Sequence, residues 1–430
     1  MSHTYSRRAF LGHSGAALTA ASWLAMPRTA RAGKDANETV EVAVIGVNGR
    51  GSALAESFAT LEGSRVAALC DVDSRALNRA AESIAKRQSS PPAKVADLRR
   101  VFDDPAIDAV VIAAPDHWHA PATIMACAAG KHVYVEKPAS HNPREGELMV
   151  AAARKHDRVV QLGTQRRSMP GIVEAIDRLR AGEIGKVLFS RGWYNADRKP
   201  IGHGKPAPVP AELDYALWQG PAPERPYHDN VIHYNWHWFW NWGTGELGNN
   251  GIHSLDICRW GLEVDYPRRV SAGGGKYFFD DDQETPDTHV VTYDFGDKAI
   301  TWEGRNWHRR GFEGSMFGIG FYGDGGSLII DGSNYKLFDP AGKQLVDQSK
   351  GFNSHDPHLL NFLAAVRSGS RLNSEIEAGH KSTLLCHLGN IAYRTGQTLE
   401  IDAKTGRIEN NPAAAQFWSR EYRPGWEPQV

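Results

Sequence analysis

The feature that most restricts what this chain can fold into is a glycine loop between a buried strand and a helix. Residues 42–46 read Val-Ala-Val-Ile-Gly, an unbroken apolar run suited to a strand covered on both faces. Gly46-Val47-Asn48-Gly49-Arg50-Gly51 follows, and a helical pattern occupies 52–61. Missing β-carbons let such a loop turn sharply and approach a pyrophosphate, whose charge then meets the helix N-terminal N–H groups. The spacing is GxxGxG rather than the commoner GxGxxG, so its context carries the reading.

That context is a strand–helix alternation. Strands are expected at 66–69, 109–113, 132–135 and 159–162, with helices at 74–88, 120–129 and 143–156. This order predicts a parallel, doubly wound Rossmann sheet. Asp71 closes the second strand, where a carboxylate accepts hydrogen bonds from an adenosine ribose and repels a 2′-phosphate. The expected cofactor is therefore NAD. Arg75 pulls the other way and keeps NADP as the alternative. Beyond Gly163, Trp, Tyr, Gly and Pro rise, and period-two runs appear at 187–193, 289–295, 299–303, 317–322 and 327–330. They predict an α+β domain with a large, mostly antiparallel sheet. Helices are expected at 359–366 and 378–394. The division is a cofactor-binding domain over 39–160 and a substrate-binding and oligomerisation domain over 161–430.

Forty-nine Lys and Arg against 50 Asp and Glu leave a net charge of −1, which offers nothing to nucleic acid or an anionic membrane. The four cysteines are far apart and form no CxxC pair, so they read as buried thiols rather than a zinc site. The first residues read as an address. Ser6-Arg7-Arg8 precedes a short apolar stretch over 15–26 and the small-x-small triplet Ala30-Arg31-Ala32. Residues 1–32 are expected to be a Tat signal peptide, recognised by the Tat export machinery. The mature chain would start near Gly33 and be periplasmic or otherwise exported, without stable membrane insertion. Tat passengers cross folded, so a cofactor can travel with them.

The strand over 132–135 ends in Glu136-Lys137-Pro138, which places a lysine beside the ligand crevice of such a sheet. With the glycine loop, Pro115-Asp116-His117-Trp118-His119, Gly130-Lys131-His132-Val133 and Gly248-Asn249-Asn250-Gly251-Ile252-His253, this corner resembles the Gfo/Idh/MocA family of oxidoreductases. The resemblance covers essentially the whole mature chain and extends to His358 and Glu375. It implies that Lys137 reaches both the nicotinamide ribose and the reacting hydroxyl. It also implies that His253 removes the hydroxyl proton, work suited to an imidazole. Gly46, Asn48, Gly49, Arg50, Gly51, Asp71, Arg75, Pro115, His119, Glu136 and Lys137 are the expected cofactor contacts. The family's aspartate four residues before the histidine is Asn249 here, which can position a hydroxyl but cannot take its proton. Glu246 or Asp256 is then placed to assist. Asp256, one helical turn beyond His253, reads equally as a catalytic partner and as a structural ion pair.

Tyr234, Trp236, Trp238, Trp240 and Trp242 alternate in sequence, and on a strand their rings would share one face. They read either as a substrate wall or as packing. Trp236, Trp238, His253 and the polar run Gln165-Arg166-Arg167 are the expected substrate contacts. No metal is expected, because no carboxylate or cysteine completes a site with His233 and His237. The leading expectation is an exported NAD(P)-dependent dehydrogenase that transfers hydride between a tightly held nicotinamide and a carbohydrate, either a sugar, a cyclitol or a glycoside. A redox-neutral glycoside hydrolase or lyase is the alternative, and a non-catalytic sugar sensor the third. A homo-oligomer is expected.

Overall fold

The computed structural model describes residues 39–349 and 354–430, so the expected signal peptide lies outside the described residues. The first sheet contains six parallel strands: β1 (Val40–Ile45), β2 (Ser64–Cys70), β3 (Ala93–Val95), β4 (Ala109–Ile112), β5 (His132–Val135) and β6 (Val160–Leu162). Their spatial order is β3-β2-β1-β4-β5-β6, which reverses direction between β1 and β4. Ligands of doubly wound sheets bind at such a switch point, outside the strands' carboxyl ends. Connecting helices are α1 (Arg50–Thr60), α2 (Ser74–Ala85), α3 (Leu98–Asp103), α4 (Asp116–Ala128) and α5 (Pro143–Lys155).

The apolar run of β1 is explained by its two covers. Val40, Val42 and Val44 face one buried cluster with Leu54 and Phe58 of α1. Ala43 and Ile45 face the other, with Ile124 of α4 and Met149 of α5. Each successive side chain thus finds an apolar neighbour. β3 escaped the sequence reading because it is three residues long and half exposed, so Glu136-Lys137-Pro138 follows the fifth strand rather than the fourth.

The second sheet has nine strands in the order β14-β13-β12-β11-β7-β10-β9-β8-β15. They are β7 (Val187–Asn195), β8 (Arg269–Gly275), β9 (Thr288–Asp294), β10 (Ala299–Arg305), β11 (Phe317–Gly323), β12 (Gly326–Asp331), β13 (Asn334–Phe338), β14 (Gln344–Gln348) and β15 (Leu399–Glu400). Only β7 and β10 pair in parallel; all other ladders are antiparallel. Helices α6 (Pro170–Arg180), α7 (Tyr215–Gln219), α8 (Ile252–Leu262), α9 (Asp356–Ser368) and α10 (Ile376–Thr395) complete this half. α6, α8 and α10 cover one face of the sheet and bury Trp302, Ile319 and Phe321. Helix α9 does something else: Leu359, Phe362 and Leu363 pack onto the parallel sheet. The C-terminal part of the chain therefore supplies one cover of the N-terminal sheet.

The alternating aromatic stretch is not a strand. It forms turns and a single 3-10 turn at Asn235–Trp238, so its rings diverge. Trp242 enters a cluster with Trp218 and Phe239, whereas Tyr234 is 49% exposed.

Candidate active site

A cavity of about 570 Å³ opens at the switch point, lined by the glycine loop, the carboxyl ends of β2, β4 and β5, and the residues before α8. The glycine loop shapes one end. A β-carbon on Gly46 would sit 2.7 Å from the Ala114 nitrogen, and one on Gly51 only 1.7 Å from the Gly46 oxygen. Both positions therefore require glycine. Gly49 turns at φ +66°, with nothing within 4 Å of where its β-carbon would lie. It precedes α1 without a side-chain cap, which leaves the first N–H groups of the helix open to the cleft. Asp71 lies across the loop, its Oδ2 accepting from the Val47 N–H at 2.7 Å and its Oδ1 from the Asp73 N–H at 2.9 Å. Beside it lies an apolar slot of Val72, Ala96, Leu98, Leu217 and Trp218. Anion donors, a fixed carboxylate and a flat apolar slot fit the pyrophosphate, ribose and adenine of NAD. Asp71→Ala is expected to raise the Kd for NAD at least about tenfold and to erase any preference over NADP, because a charge-assisted hydrogen bond to ribose is lost. Titrating both nucleotides by protein fluorescence checks this.

The other end carries the reactive groups. Lys137 Nζ donates to the main-chain oxygen of Asn249 at 2.8 Å and to its Oδ1 at 3.1 Å. That carbonyl is available because Leu247–Gly251 winds as a π-turn before α8. Such widened turns free main-chain groups and are frequent at functional sites. Two glycines make the turn fit: a β-carbon on Gly248 would strike the Thr244 hydroxyl at 1.9 Å, and one on Gly251 would meet Leu247 and Trp302 at 2.9 Å. Burial lowers the Lys137 amine below its ordinary range, against the carboxylates of Glu136, Asp116 and Glu246. His253 follows on the first turn of α8, and its Nδ1 is buried without a partner. Burial, then the Lys137 charge, holds this imidazole well below its ordinary 6.5. It is therefore neutral near pH 7 and able to accept a proton.

Glu136 ties the two ends together. Its Oε1 accepts from Arg50 Nε at 2.8 Å. Although burial pushes this carboxyl up, Arg50 and Lys137 bring it below the usual glutamate range. Behind the π-turn, Glu246 pairs with Arg198 through both oxygens and also accepts from Asn250. It is a support for the turn, with its charge already matched.

Most of the expected residues gather here: Gly46, Asn48, Gly49, Arg50, Asp71, Pro115, His119, Glu136, Lys137, Gln165, Trp236, Asn249 and His253 all line the one cavity. Several others do not. Asp256 is 1% exposed and held by Arg167, with Nε–Oδ2 at 2.7 Å and Nη2–Oδ1 at 2.8 Å, and by Ser382. Both members of that pair lie outside the cleft, so neither the catalytic reading of Asp256 nor the substrate reading of Arg167 holds. Arg166 donates to the Gly332 oxygen at 2.6 Å and lies over the Phe317 ring, again outside the cleft wall. Arg75 is drawn onto Asp73 by two side-chain hydrogen bonds and does not reach the cleft. Trp238 is 2% exposed and faces the Arg198 guanidinium instead. Gly51 serves the turn rather than the cavity surface. Asp256 and the three arginines each found a nearer opposite charge, carbonyl or ring than a ligand would offer.

The sequence reading missed Asp116, Trp118, Leu217, Trp218 and Asn250 as wall residues, while Tyr234 takes the wall position that was one of its two readings. Asp116, Trp118 and Asn250 stand inside the family-like motifs and could have been found. Leu217 and Trp218 carry no local signal, because they arrive from another part of the chain. His237 also enters the wall, stacked on Trp236 with ring centroids 3.6 Å apart and pushed down to about 3 by burial.

Comparison with known proteins agrees with this architecture. Residues 40–164 match the model of an oxidoreductase family, NAD-binding Rossmann fold, and residues 199–428 match its C-terminal alpha/beta domain. A glycosyl hydrolase family 109 protein of Saccharopolyspora erythraea is 31% identical over 172 residues, 39% of this chain and 37% of that protein. Levoglucosan dehydrogenase of Pseudarthrobacter phenanthrenivorans is 37% identical over 101 residues, 24% of this chain and 26% of the relative. The matched stretches thus span well under half of these relatives. In fold, the chain is similar to aldose-aldose oxidoreductase from Caulobacter crescentus, with TM-score 0.67, 19% identity, and coverage of 85% of this chain and 100% of the other. A levoglucosan dehydrogenase complexed with NADH and levoglucosan gives TM-score 0.67 at 17% identity, covering 84% of this chain and 99% of that one.

Proposed function

The chain belongs to the Gfo/Idh/MocA oxidoreductase family, and from that membership we propose that it oxidises a hydroxyl of a sugar, cyclitol or related polyol with a tightly held NAD. One observation carries the reading: Lys137 and His253 line the same cavity as the glycine loop and Asp71. The similarity to a levoglucosan dehydrogenase supports a carbohydrate substrate.

Asn48, Gly49, Asp71 and the first N–H groups of α1 would hold the dinucleotide. When bound, NAD takes up or returns a hydride at its nicotinamide ring. The remaining steps fall to the chain. An ammonium has three donors, and Asn249 takes two of those of Lys137. The third is left for the oxygen of the reacting hydroxyl, whose developing negative charge the ammonium stabilises. His253, neutral and desolvated, receives the hydroxyl proton at a ring nitrogen. Gln165 lines the same cavity and would offer its side-chain amide to a neighbouring sugar hydroxyl. Trp236 offers a flat apolar edge to the ring.

The sign of the pH dependence follows. The base must be unprotonated, and its pKa is lowered, so oxidation should keep its rate as pH falls through 6.5. A kcat/KM profile for sugar oxidation whose acid limb stands at 6.5 or above would contradict His253 as the base.

A second reading rests on the likeness to glycosyl hydrolase family 109 proteins. There the same pair of residues would serve transient oxidation, elimination and return of the hydride, cleaving a glycoside without net redox change. A single assay separates the two. The purified protein is incubated with NAD, free sugars and aryl glycosides, and nicotinamide absorbance and aglycone release are followed together. Net NADH formation is expected; aglycone release without it favours the second reading. We further propose export through a Tat signal over residues 1–32, which would make retention of the cofactor a condition of activity outside the cytoplasm.

A further inference from the structure

The adenosine end of the cleft is roofed by a segment that does not belong to the parallel sheet. Residues 212–221 run across the end of β2, where Ser74 N–H donates to the Glu212 oxygen at 2.9 Å and Asp214 N–H to the Val72 oxygen at 3.0 Å. Helix α7 within this segment presents Leu217 and Trp218 to the cavity. Its far end is fixed differently. The Trp218 carbonyl accepts from Trp118 Nε1 at 2.9 Å. Gly220, at φ +47°, passes so close to Trp118 that a β-carbon there would lie 2.0 Å from the indole. The far end of the roof is therefore held by Trp118, with His117 Nε2 on the same carbonyl at 3.0 Å.

The C-terminal tail locks this arrangement from outside. The Trp426 ring meets Trp118 edge-on, with centroids 5.3 Å apart. Arg99 and Arg423 lie over Trp426 at 5.5 and 5.4 Å. Arg423 also reaches the roof itself: its N–H donates to the Pro221 oxygen at 3.1 Å and its Nη1 to the Ala216 oxygen at 3.0 Å. Arg99 belongs to α3, whose Leu98 forms part of the adenine slot. Three walls of one slot are thus joined by two tail residues that touch no part of the cavity.

We infer that Trp426 and Arg423 are positioning residues for cofactor retention, clasping the Leu217–Trp218 roof and α3 around the adenosine of NAD. The inference rests on the reading of a tightly held cofactor and extends it by naming what holds the slot shut. Lids of this kind set departure rates, since the ligand leaves only when the cover lifts. An aromatic edge contact, with one main-chain and one side-chain hydrogen bond from Arg423 to roof carbonyls, is suited to slowing that motion.

The test is the dissociation rate of NADH from the full chain, followed by loss of its fluorescence when excess NAD displaces it. Trp426→Ala and Arg423→Ala should each release NADH about tenfold faster than the unaltered protein. Phe417→Ala is the control in the same tail; it packs instead on the second-sheet core and under Arg394, at 4.1 Å. Its release rate should equal that of the unaltered protein, even where its melting temperature falls. Equal rates for all four proteins would overturn the clasp, and so would an equal acceleration by Phe417→Ala, which would mark the tail as a general scaffold. Arg423→Ala leaves the edge contact between Trp426 and Trp118 in place, so the question stands even if Trp426→Ala does not fold. Rapid release from the unaltered protein would refute tight retention alone, because the ratio of variant to parent still decides the clasp.

Discussion

Lys137→Ala is expected to lower kcat/KM for sugar oxidation by about 10³-fold while NADH still binds at the glycine loop. The size follows from the proposed role of the amine: it would supply the remaining donor for the reacting oxygen and the positive charge nearest it. Nothing in the cavity replaces it. Arg50, the next cation, is committed to Glu136 at 2.8 Å. The same variant strips two acceptors of their donor, since the Asn249 carbonyl and Oδ1 both depend on Nζ. A cost of about 1–3 kcal/mol in stability should therefore accompany the kinetic loss. Lys137→Arg is not a conservative rescue, because a planar guanidinium cannot present the same three donors. Steady-state kinetics with a fluorescence titration of NADH separates chemistry from cofactor binding. Full turnover by the alanine variant would remove Lys137 from the mechanism and the proposed reaction with it.

Asp256→Ala should act through stability instead, lowering it by about 3–5 kcal/mol because it leaves the Arg167 charge buried and unmatched. Arg167 is 7% exposed and gives two of its nitrogens to Asp256. The pair joins the turn after β6 to α8, and so anchors the helix that carries His253 to the parallel sheet. Replacing both partners with apolar residues of similar size, Asp256→Leu with Arg167→Met, should recover most of the loss. The comparison is made by urea unfolding midpoints. A single variant as stable as the parent but impaired in kcat would return Asp256 to the chemistry.

The first prediction puts Lys137 in the chemistry and the second takes Asp256, three residues after His253, out of it, a choice local sequence could not make. At the sequence level Asp256 shares a helix face with His253, which suits either role. The choice is made by Arg167, 89 residues away in the chain, whose guanidinium forks onto the carboxylate. Arg166 and Arg75 were misread for the same reason. A cation near a glycine loop looks available until the fold supplies a carbonyl or carboxylate closer than the ligand. The alternating tryptophans failed differently. Period two is a strand signal only where the main chain is extended, and here it turns, so the rings scatter.

By itself the sequence determined the parallel sheet, the glycine loop, Asp71 and the positions of Lys137 and His253 within motifs. The sheet, the loop and Asp71 depend on short-range chemistry: apolar runs that need cover on two faces, backbone turns only glycine can make, and a side chain fixed at a strand end; Lys137 and His253 were marked by motifs that resemble the family's. The tertiary structure alone decided which charges are spent on each other, that a π-turn offers the Asn249 carbonyl to Lys137, and that α9 and the C-terminal tail close on the first sheet. Those outcomes depend on which distant groups meet, and desolvation makes a buried charge or donor take the nearest partner that the fold provides.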